Sequence, residues 1–309
     1  MPKERHEQES VVATLSSLGA ESLGVFRAEG ATALGITPNQ LSRLSHQGVI
    51  DRVHPNTYRM TAVPATGEQR LRAALLWAGP QAAAGGRSAA ELHQLEGVRA
   101  AQPEIIVPHR VRARMSGITV YHGDAAALMA RTIRGVRVTG VEATLVRLPH
   151  LLDEEAFEIA CEDARRRRLT SVLALRAYLE RFGRRGRPGV ATIRRLIDQL
   201  DPERPARSTL EVKTRRLLST NGITDFDREY ALVWGGRTYR YDFAFPDRRV
   251  ILETNGRRWH DDPADYEHDN EKWSVPGRFG FRIVFATWEK VVRDPNALVH
   301  ELRATMTAR

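Results

Sequence analysis

In this 309-residue chain, Asp242 and Glu253 are the residues whose types and spacing best suit holding a divalent cation. The run Tyr239-Arg240-Tyr241-Asp242-Phe243-Ala244-Phe245 alternates strictly. It predicts a strand with four aromatics on one face and Arg240, Asp242 and Ala244 on the other. Pro246-Asp247-Arg248-Arg249 reads as a turn, and Val250–Asn255 as a second strand. A two-residue loop at Asp247 and Arg248 would set Pro246 opposite Arg249. Counting back, Asp242 then faces Glu253 and Arg240 faces Asn255, all four on one face of the hairpin. Opposed like charges destabilise a hairpin by up to ~1 kcal/mol, and more when desolvated. A divalent cation between them reverses that sign, and hard carboxylate oxygens suit Mg2+ or Mn2+. The competing reading is a surface network in which Arg240 neutralises both acids. A loop of another length would also move the pair out of register.

Five features in order across residues 208–290 resemble the PD-(D/E)XK nuclease superfamily and, within it, the very-short-patch-repair-like (Vsr-like) endonucleases. They are Ser208-Thr209-Leu210-Glu211 opening a helix, then Tyr241-Asp242-Phe243, then Glu253-Thr254-Asn255-Gly256 followed by His260. Asp269 and Lys272 come next on a helix, and last the strand Phe281–Phe285 leading to Thr287-Trp288. The resemblance implies a restriction-endonuclease-like α/β core with a mixed sheet, a Mg2+ or Mn2+ cofactor and phosphodiester hydrolysis. Asp242, Glu253 and the Thr254 backbone carbonyl would hold the metal, with Glu211 supporting metal or water. Asn255 and His260 would assist, His260 by protonating the leaving 3′-oxygen or by positioning water.

Each supporting residue has a plainer reading. A capping box with Ser208 explains Glu211 without catalysis. His260 fits equally as a loop hydrogen-bond partner beside Asp261 and Asp262. Asp269 and Lys272, three apart on a helix, read as a salt bridge. Trp234, Trp259, Trp273 and Trp288 default to core packing. One departure matters: the namesake motif has Lys, and the Vsr-like group often Asp, where this chain has Asn255. Asn orients water but carries no charge. Arg240 is the candidate to supply the missing cation; otherwise the domain is degenerate and only binds DNA.

The N-terminal residues would bring such a site to its substrate. Val12, Leu15 and Leu18 recur at helical spacing, and a second short helix is expected through Arg27–Leu34. Thr37 is a good N-cap, Pro38 suits the first helical position and Gln40 completes a capping box. That helix should run to about Gln47, with Gly48 as its stop, before strands Val49–Val53 and Thr57–Met60. Helix, turn, helix and β-wing make a winged helix-turn-helix. Asn39, Gln40 and Arg43 would enter a major groove, and Arg52 and Arg59 would hold phosphates. Small trihelical domains with a hairpin also dock proteins.

The segment GVFRAEGATALGITPNQLSRLSHQGVIDRVHPNTYRM resembles the winged-helix domain of AbiEi-type antitoxins from type IV toxin–antitoxin systems. Gly48, Arg52, Val53, Tyr58 and Arg59 carry the likeness, while Asn56-Thr57 replaces the usual glycine before the tyrosine. It implies binding to double-stranded DNA, often autoregulatory, and a cognate toxin protein as a further partner. GVRVTGVEATLVRL resembles the middle region of the same fusion proteins.

That middle region predicts a helix at Glu68–Ala78 and strands at Glu104–Val107, Ile118–Tyr121 and Val136–Val138. Helices follow at Thr139–Leu148 and Asp153–Tyr178, the latter broken near Thr170. Arg165–Arg168 reads as a solvated helix face, and Cys161 as a buried small hydrophobe. Gly183–Gly189 reads as a loop and Asp201–Arg207 as a linker. The expected domains are residues 1–62, 63–200 and 208–309, giving a multidomain α/β protein.

The formal charge is +9 with pI near 10.2, which invites a polyanionic partner. Of 47 basic residues 43 are arginine, as consistent with a GC-rich genome as with phosphate binding. The excess sits in residues 101–200, with 18 basic against 11 acidic residues. A lone cysteine excludes an intramolecular disulfide and any multi-cysteine metal site. The polar opening MPKERHEQES lacks a signal-peptide core, and no apolar run approaches membrane-span length, so a cytoplasmic location is expected, with no membrane partner and no nucleotide cofactor. The leading expectation is a DNA-binding, metal-dependent endonuclease. The alternatives are a non-catalytic DNA-binding regulator and a protein-binding module.

Overall fold

The computed structural model describes residues 2–183, 190–200, 206, 208–255 and 263–308, with only the backbone at 2–9, 199 and 263–270. The expected loop Gly183–Gly189 and linker Asp201–Arg207 lie largely outside the described residues, as does His260. The chain divides into two compact units, Met1–Pro205 and Ala206–Arg309.

The first unit opens with α1 (Pro2–Gly19), β1 (Val25–Arg27), α2 (Ala28–Ala33), α3 (Pro38–His46), β2 (Ile50–His54) and β3 (Thr57–Met60). Leu15, Ile36, Leu41, Leu44 and Ile50 bury into one core beneath these helices. The capping box forms: the Gln40 N–H donates to Thr37 Oγ1, and the Thr37 N–H donates to Gln40 Oε1 at 2.8 Å. Gly48, at φ 71°, turns the chain out of α3 into the wing. The wing is a three-stranded sheet in the order β1-β3-β2. Its third strand, Val25–Arg27, was not among the expected elements and takes Arg27 from the expected helix Arg27–Leu34, which forms as Ala28–Ala33. It is a strand through its pairing with Thr57–Arg59, about thirty residues on.

Next come α4 (Gly67–Ala78), β4 (Ala83–Ala84), α5 (Gly86–Leu92), β5 (Glu104–Pro108), β6 (Thr119–Gly123), α6 (Ala125–Leu128), β7 (Arg131–Ile133) and β8 (Val136–Val138). They build a five-stranded mixed sheet, β6-β5-β4-β8-β7. The α4 side chains tie it to the winged segment: Gln69 donates to the Leu23 carbonyl at 2.8 Å and Arg72 to the Glu21 carbonyl at 2.9 Å. Helices α7 (Val141–Arg147), α8 (Glu154–Arg166), α9 (Val172–Phe182) and α10 (Val190–Gln199) then form a helical core around Leu145, Phe157 and Leu175. The break between α8 and α9 falls at Thr170, as expected, with Arg168 at φ 56°.

One expectation on α8 is corrected. Arg165 is buried and pairs with fully buried Glu162 at 2.7 Å. Arg166 and Arg167 reach Asp163 at 2.7 and 3.1 Å. Arg165 to Arg167 are thus ion-paired, because the acids one turn earlier face them on the same side, while Arg167 and Arg168 are solvent-exposed as expected. Cys161 is buried there, and burial pushes its thiol up to about 12.

The second unit holds α11 (Thr209–Thr220), β9 (Asp227–Trp234), β10 (Arg237–Phe245), β11 (Val250–Asn255), α12 (Pro263–Arg278), β12 (Arg282–Thr287), α13 (Trp288–Val292) and α14 (Pro295–Thr307). Its sheet runs β12-β11-β10-β9, with β11 and β12 parallel and the other pairs antiparallel. The β10–β11 turn is longer than expected, a 3-10 turn at Pro246–Arg248 with Arg249 at φ 52°. The register nevertheless agrees, with Phe243 opposite Leu252 and Phe245 opposite Val250. A four-residue loop centred on the same bond keeps the pairing of a two-residue one.

The four aromatics of β10 do not share a face. Tyr239 and Tyr241 pack with Val275 and Phe281, whereas Phe243 and Phe245 pack with Leu210, Leu252 and Val284. The alternation breaks at Asp242. The β9 ladder lacks the Asp242–Glu229 pair, and Glu229 holds a left-handed φ of 52°. Among the described residues, no helix is long and apolar enough to cross a membrane.

Candidate acidic site and nucleic-acid interface

Asp242 sits at that break, and three further carboxylates gather around it from three other elements. Glu211 comes from the first turn of α11, Glu229 from β9 and Glu253 from β11, all no more than 9% exposed. One oxygen each from Glu211, Glu229 and Asp242 lies within 4.8 Å of the other two. On β11, Glu253 Oε2 accepts the Asp242 N–H at 3.1 Å. Thr254 donates its N–H to Asp242 Oδ2 at 2.8 Å and its hydroxyl to the same oxygen.

Among the described residues, Arg228 and Lys272 pair with two of these acids. Arg228 Nη2 donates to Glu211 Oε1 at 2.8 Å, and Lys272 Nζ pairs with Glu253 Oε1. Arg228 Nε is buried with no hydrogen-bond partner among the described residues. Burial, then the Asp242 charge beside it, pushes the Glu253 carboxyl up to about 7 despite Lys272. The Tyr241 hydroxyl donates to the Lys272 carbonyl at 2.7 Å, and the Lys272 ammonium lies 5.4 Å from the Tyr241 ring centre. Burial and then Glu253 raise the Tyr241 phenol. A buried set of carboxylate oxygens is of the donor type that a hard divalent cation takes.

The expected site residues are redistributed. Asp242 and Glu253 come together, but the single-face arrangement fails with the broken pleat. Arg240 is exposed, paired with Ala231, and donates to the Glu229 carbonyl; it neutralises neither acid. Lys272 pairs with Glu253, so it is not confined to its own helix as a salt bridge with Asp269, whose side chain lies outside the described residues. Ser208 caps α11 through the Glu211 N–H, while the Glu211 carboxylate takes Arg228. Thr254, expected through its carbonyl, meets Asp242 through its N–H and hydroxyl. Asn255 is half-buried opposite Thr287. Trp234 and Trp288, expected in the core, are 40% and 47% exposed, whereas Trp273 packs edge-on against Phe285. Trp259 lies outside the described residues.

Glu229 and Arg228 were missed, although a signal existed. Gly235-Gly236, both at positive φ, makes a two-residue hairpin turn with Trp234 opposite Arg237. Counting back from it sets Glu229 opposite Asp242.

In the winged segment, Asn39 and Arg43 on α3 and Arg52 on β2 are exposed. Two expected DNA contacts are otherwise engaged. The Gln40 carboxamide oxygen closes the capping box, and the Arg59 guanidinium donates to Asp51 at 2.6 Å and to the Val63 carbonyl at 3.2 Å. Asp51 lies directly across the wing from Arg59, which is why the pair forms.

Two curated proteins of Mycobacterium tuberculosis resemble the chain. They are uncharacterized protein MT2308 (strain CDC 1551 / Oshkosh) and uncharacterized protein Rv2248 (strain ATCC 25618 / H37Rv). Each is 31% identical over 115 residues, 37% of this chain. The matched stretch spans 42% of the length of these relatives. The crystal structure of the RV2827C protein from Mycobacterium tuberculosis has a TM-score of 0.44 at 20% identity. It covers 64% of this chain and 78% of its own. Residues 15–61 match the family model described as transcriptional regulator, AbiEi antitoxin, and the winged-helix segment is similar to that antitoxin domain.

Proposed function

We propose that the chain is a DNA-binding transcriptional regulator of the antitoxin kind that docks α3 on duplex DNA. The observation that carries this reading is the exposed trio of Asn39, Arg43 and Arg52 within the segment matching the antitoxin family. Asn39 and Arg43 stand one turn apart on α3, and neither Arg43 nor Arg52 has an ion-pair partner among the described residues. Asn reads adenine and Arg reads guanine in the major groove, while a wing arginine holds a phosphate. A cognate toxin partner follows from family analogy alone. Replacing Arg43 and Arg52 by alanine should abolish duplex binding in an anisotropy titration; unchanged affinity would sink the reading.

The acidic site favours a second reading, a Mg2+- or Mn2+-dependent endonuclease acting on the DNA so bound. Asp242 and Glu253 would hold the cation, with Glu211 and Glu229 as further oxygen donors. A bound divalent ion lowers the pKa of its water and offsets charge on phosphate oxygens. Lys272, paired with Glu253, supplies the positive charge that Asn255 lacks. Asn255 would orient water, and Tyr241 anchors the backbone of Lys272. Supercoiled plasmid incubated with Mg2+, beside EDTA and Asp242→Ala controls, tests this. Nicking lost in both controls supports the nuclease; intact plasmid with retained duplex binding leaves the regulator.

A further inference from the structure

A cleft of about 510 Å3 in the first unit opens at the carboxyl ends of the parallel strands β5 and β6, where Pro108 and Gly123 line it. Carboxyl ends of parallel strands are where open α/β sheets commonly take ligands. Three arginines from three elements converge on the cleft: Arg110 after β5, Arg137 on β8 and Arg181 near the end of α9. Arg110 and Arg181 are exposed and Arg137 is half-buried, whereas Arg165 is buried against Glu162. The three arginines of the cleft have no carboxylate partner among the described residues.

Uncharged groups hold them in place instead. Arg110 Nη2 donates to Gln81 Oε1 at 2.8 Å, and Arg137 Nη1 donates to the Pro80 carbonyl at 3.3 Å. The Arg181 guanidinium lies 5.0 Å from the Phe182 ring centre. Such neighbours fix a guanidinium's direction without cancelling its charge and leave other N–H groups of the fork open. The one carboxylate in the lining, Asp124, accepts the Ala126 N–H as the cap of α6. His109, on the rim, stacks on His122 at 6.3 Å.

We propose that this cleft is a second phosphate-binding site for duplex DNA, gripping the backbone through Arg110, Arg137 and Arg181 apart from the α3 surface. The proposal rests on the DNA-binding reading and extends it to a part of the chain outside the antitoxin match. Backbone phosphate is favoured because oriented, uncancelled guanidiniums suit phosphate oxygens and the same unit carries the winged helix.

The test uses the full chain and a labelled duplex of mixed sequence, titrated at several salt concentrations. The variant Arg110→Gln/Arg137→Gln/Arg181→Gln should bind about tenfold more weakly or worse. Its log–log salt slope should be shallower by about 0.9 for each phosphate that the variant no longer neutralises. The weakening should be uniform across duplex sequences, unlike that of Arg43→Gln. If the triple variant melts early, Arg110→Glu and Arg181→Glu at exposed positions give the same readout singly. Unchanged affinity and slope in those variants overturn the cleft while leaving the winged-helix reading intact. Wild-type protein that binds no duplex overturns both. A deoxynucleoside monophosphate that binds the cleft without competing with duplex assigns it to a small phosphate ester and also overturns the proposal.

Discussion

Two buried acid-rich clusters answer the same electrostatic problem in different ways. On α8, Glu162 faces Arg165, and Asp163 faces Arg166 and Arg167, so each acid meets a guanidinium one turn on. Around Asp242, Glu211, Glu229 and Glu253 crowd together, with Arg228 and Lys272 paired to two of them. Burying uncompensated charge is costly. Among the described residues, the acids of the α8 cluster are matched by guanidiniums, while those around Asp242 outnumber the cations paired with them. On the nuclease reading, the balance of buried charge, and not its amount, separates scaffold from site.

The largest effect that would sharpen this contrast is catalytic. On the nuclease reading, Asp242→Ala should lower metal-dependent plasmid nicking by more than about 100-fold, and Lys272→Gln by about 10–100-fold. Equal nicking by wild type and both variants would remove the chemical meaning of the imbalance. Stability should then move in opposite directions at the two clusters. Arg165→Met strands Glu162 and should cost about 3–5 kcal/mol in urea unfolding. Asp242→Asn keeps an oxygen for Thr254 but drops one charge, and should stabilise the metal-free protein by about 1 kcal/mol. Destabilisation by Asp242→Asn would break the comparison.

Titration gives a smaller handle. The folded-state pKa of Glu253 lies above its ordinary value, so its protonated form is the one the metal-free fold favours. Its contribution is fully present below about pH 4.5 and is lost as pH rises through about 7. Metal-free melting followed over that window should show this loss, and Glu253→Gln should flatten it. The smallest effect belongs to Cys161, whose buried thiol should resist alkylation at about pH 8 until the protein unfolds.

Much of the fold could be read locally. The Thr37–Gln40 capping box, the stop at Gly48, the break at Thr170 and the strands at Glu104–Pro108 and Val136–Val138 follow from signals within a few residues. Ala83–Ala84 and Val25–Arg27 were illegible because what makes them strands is pairing with partners tens of residues away, Ile105–Ile106 and Thr57–Arg59. The Phe243–Leu252 register was legible despite a misjudged turn. The companion register from Gly235-Gly236 to Glu229 was equally countable and was not counted.

By itself, the sequence determined many of the helices and strands, and that Asp242 and Glu253 come to adjacent strands. Capping, alternation and turn closure act over a few residues and leave their mark in order. Tertiary structure decided what the charges mean. It buried Arg165 against Glu162, bound Arg59 to Asp51, brought Lys272 to Glu253, added Glu229 and turned Tyr241 and Phe243 to opposite faces. A charge's role depends on which groups share its burial. Those groups come from elements up to tens of residues away, where no local pattern reaches.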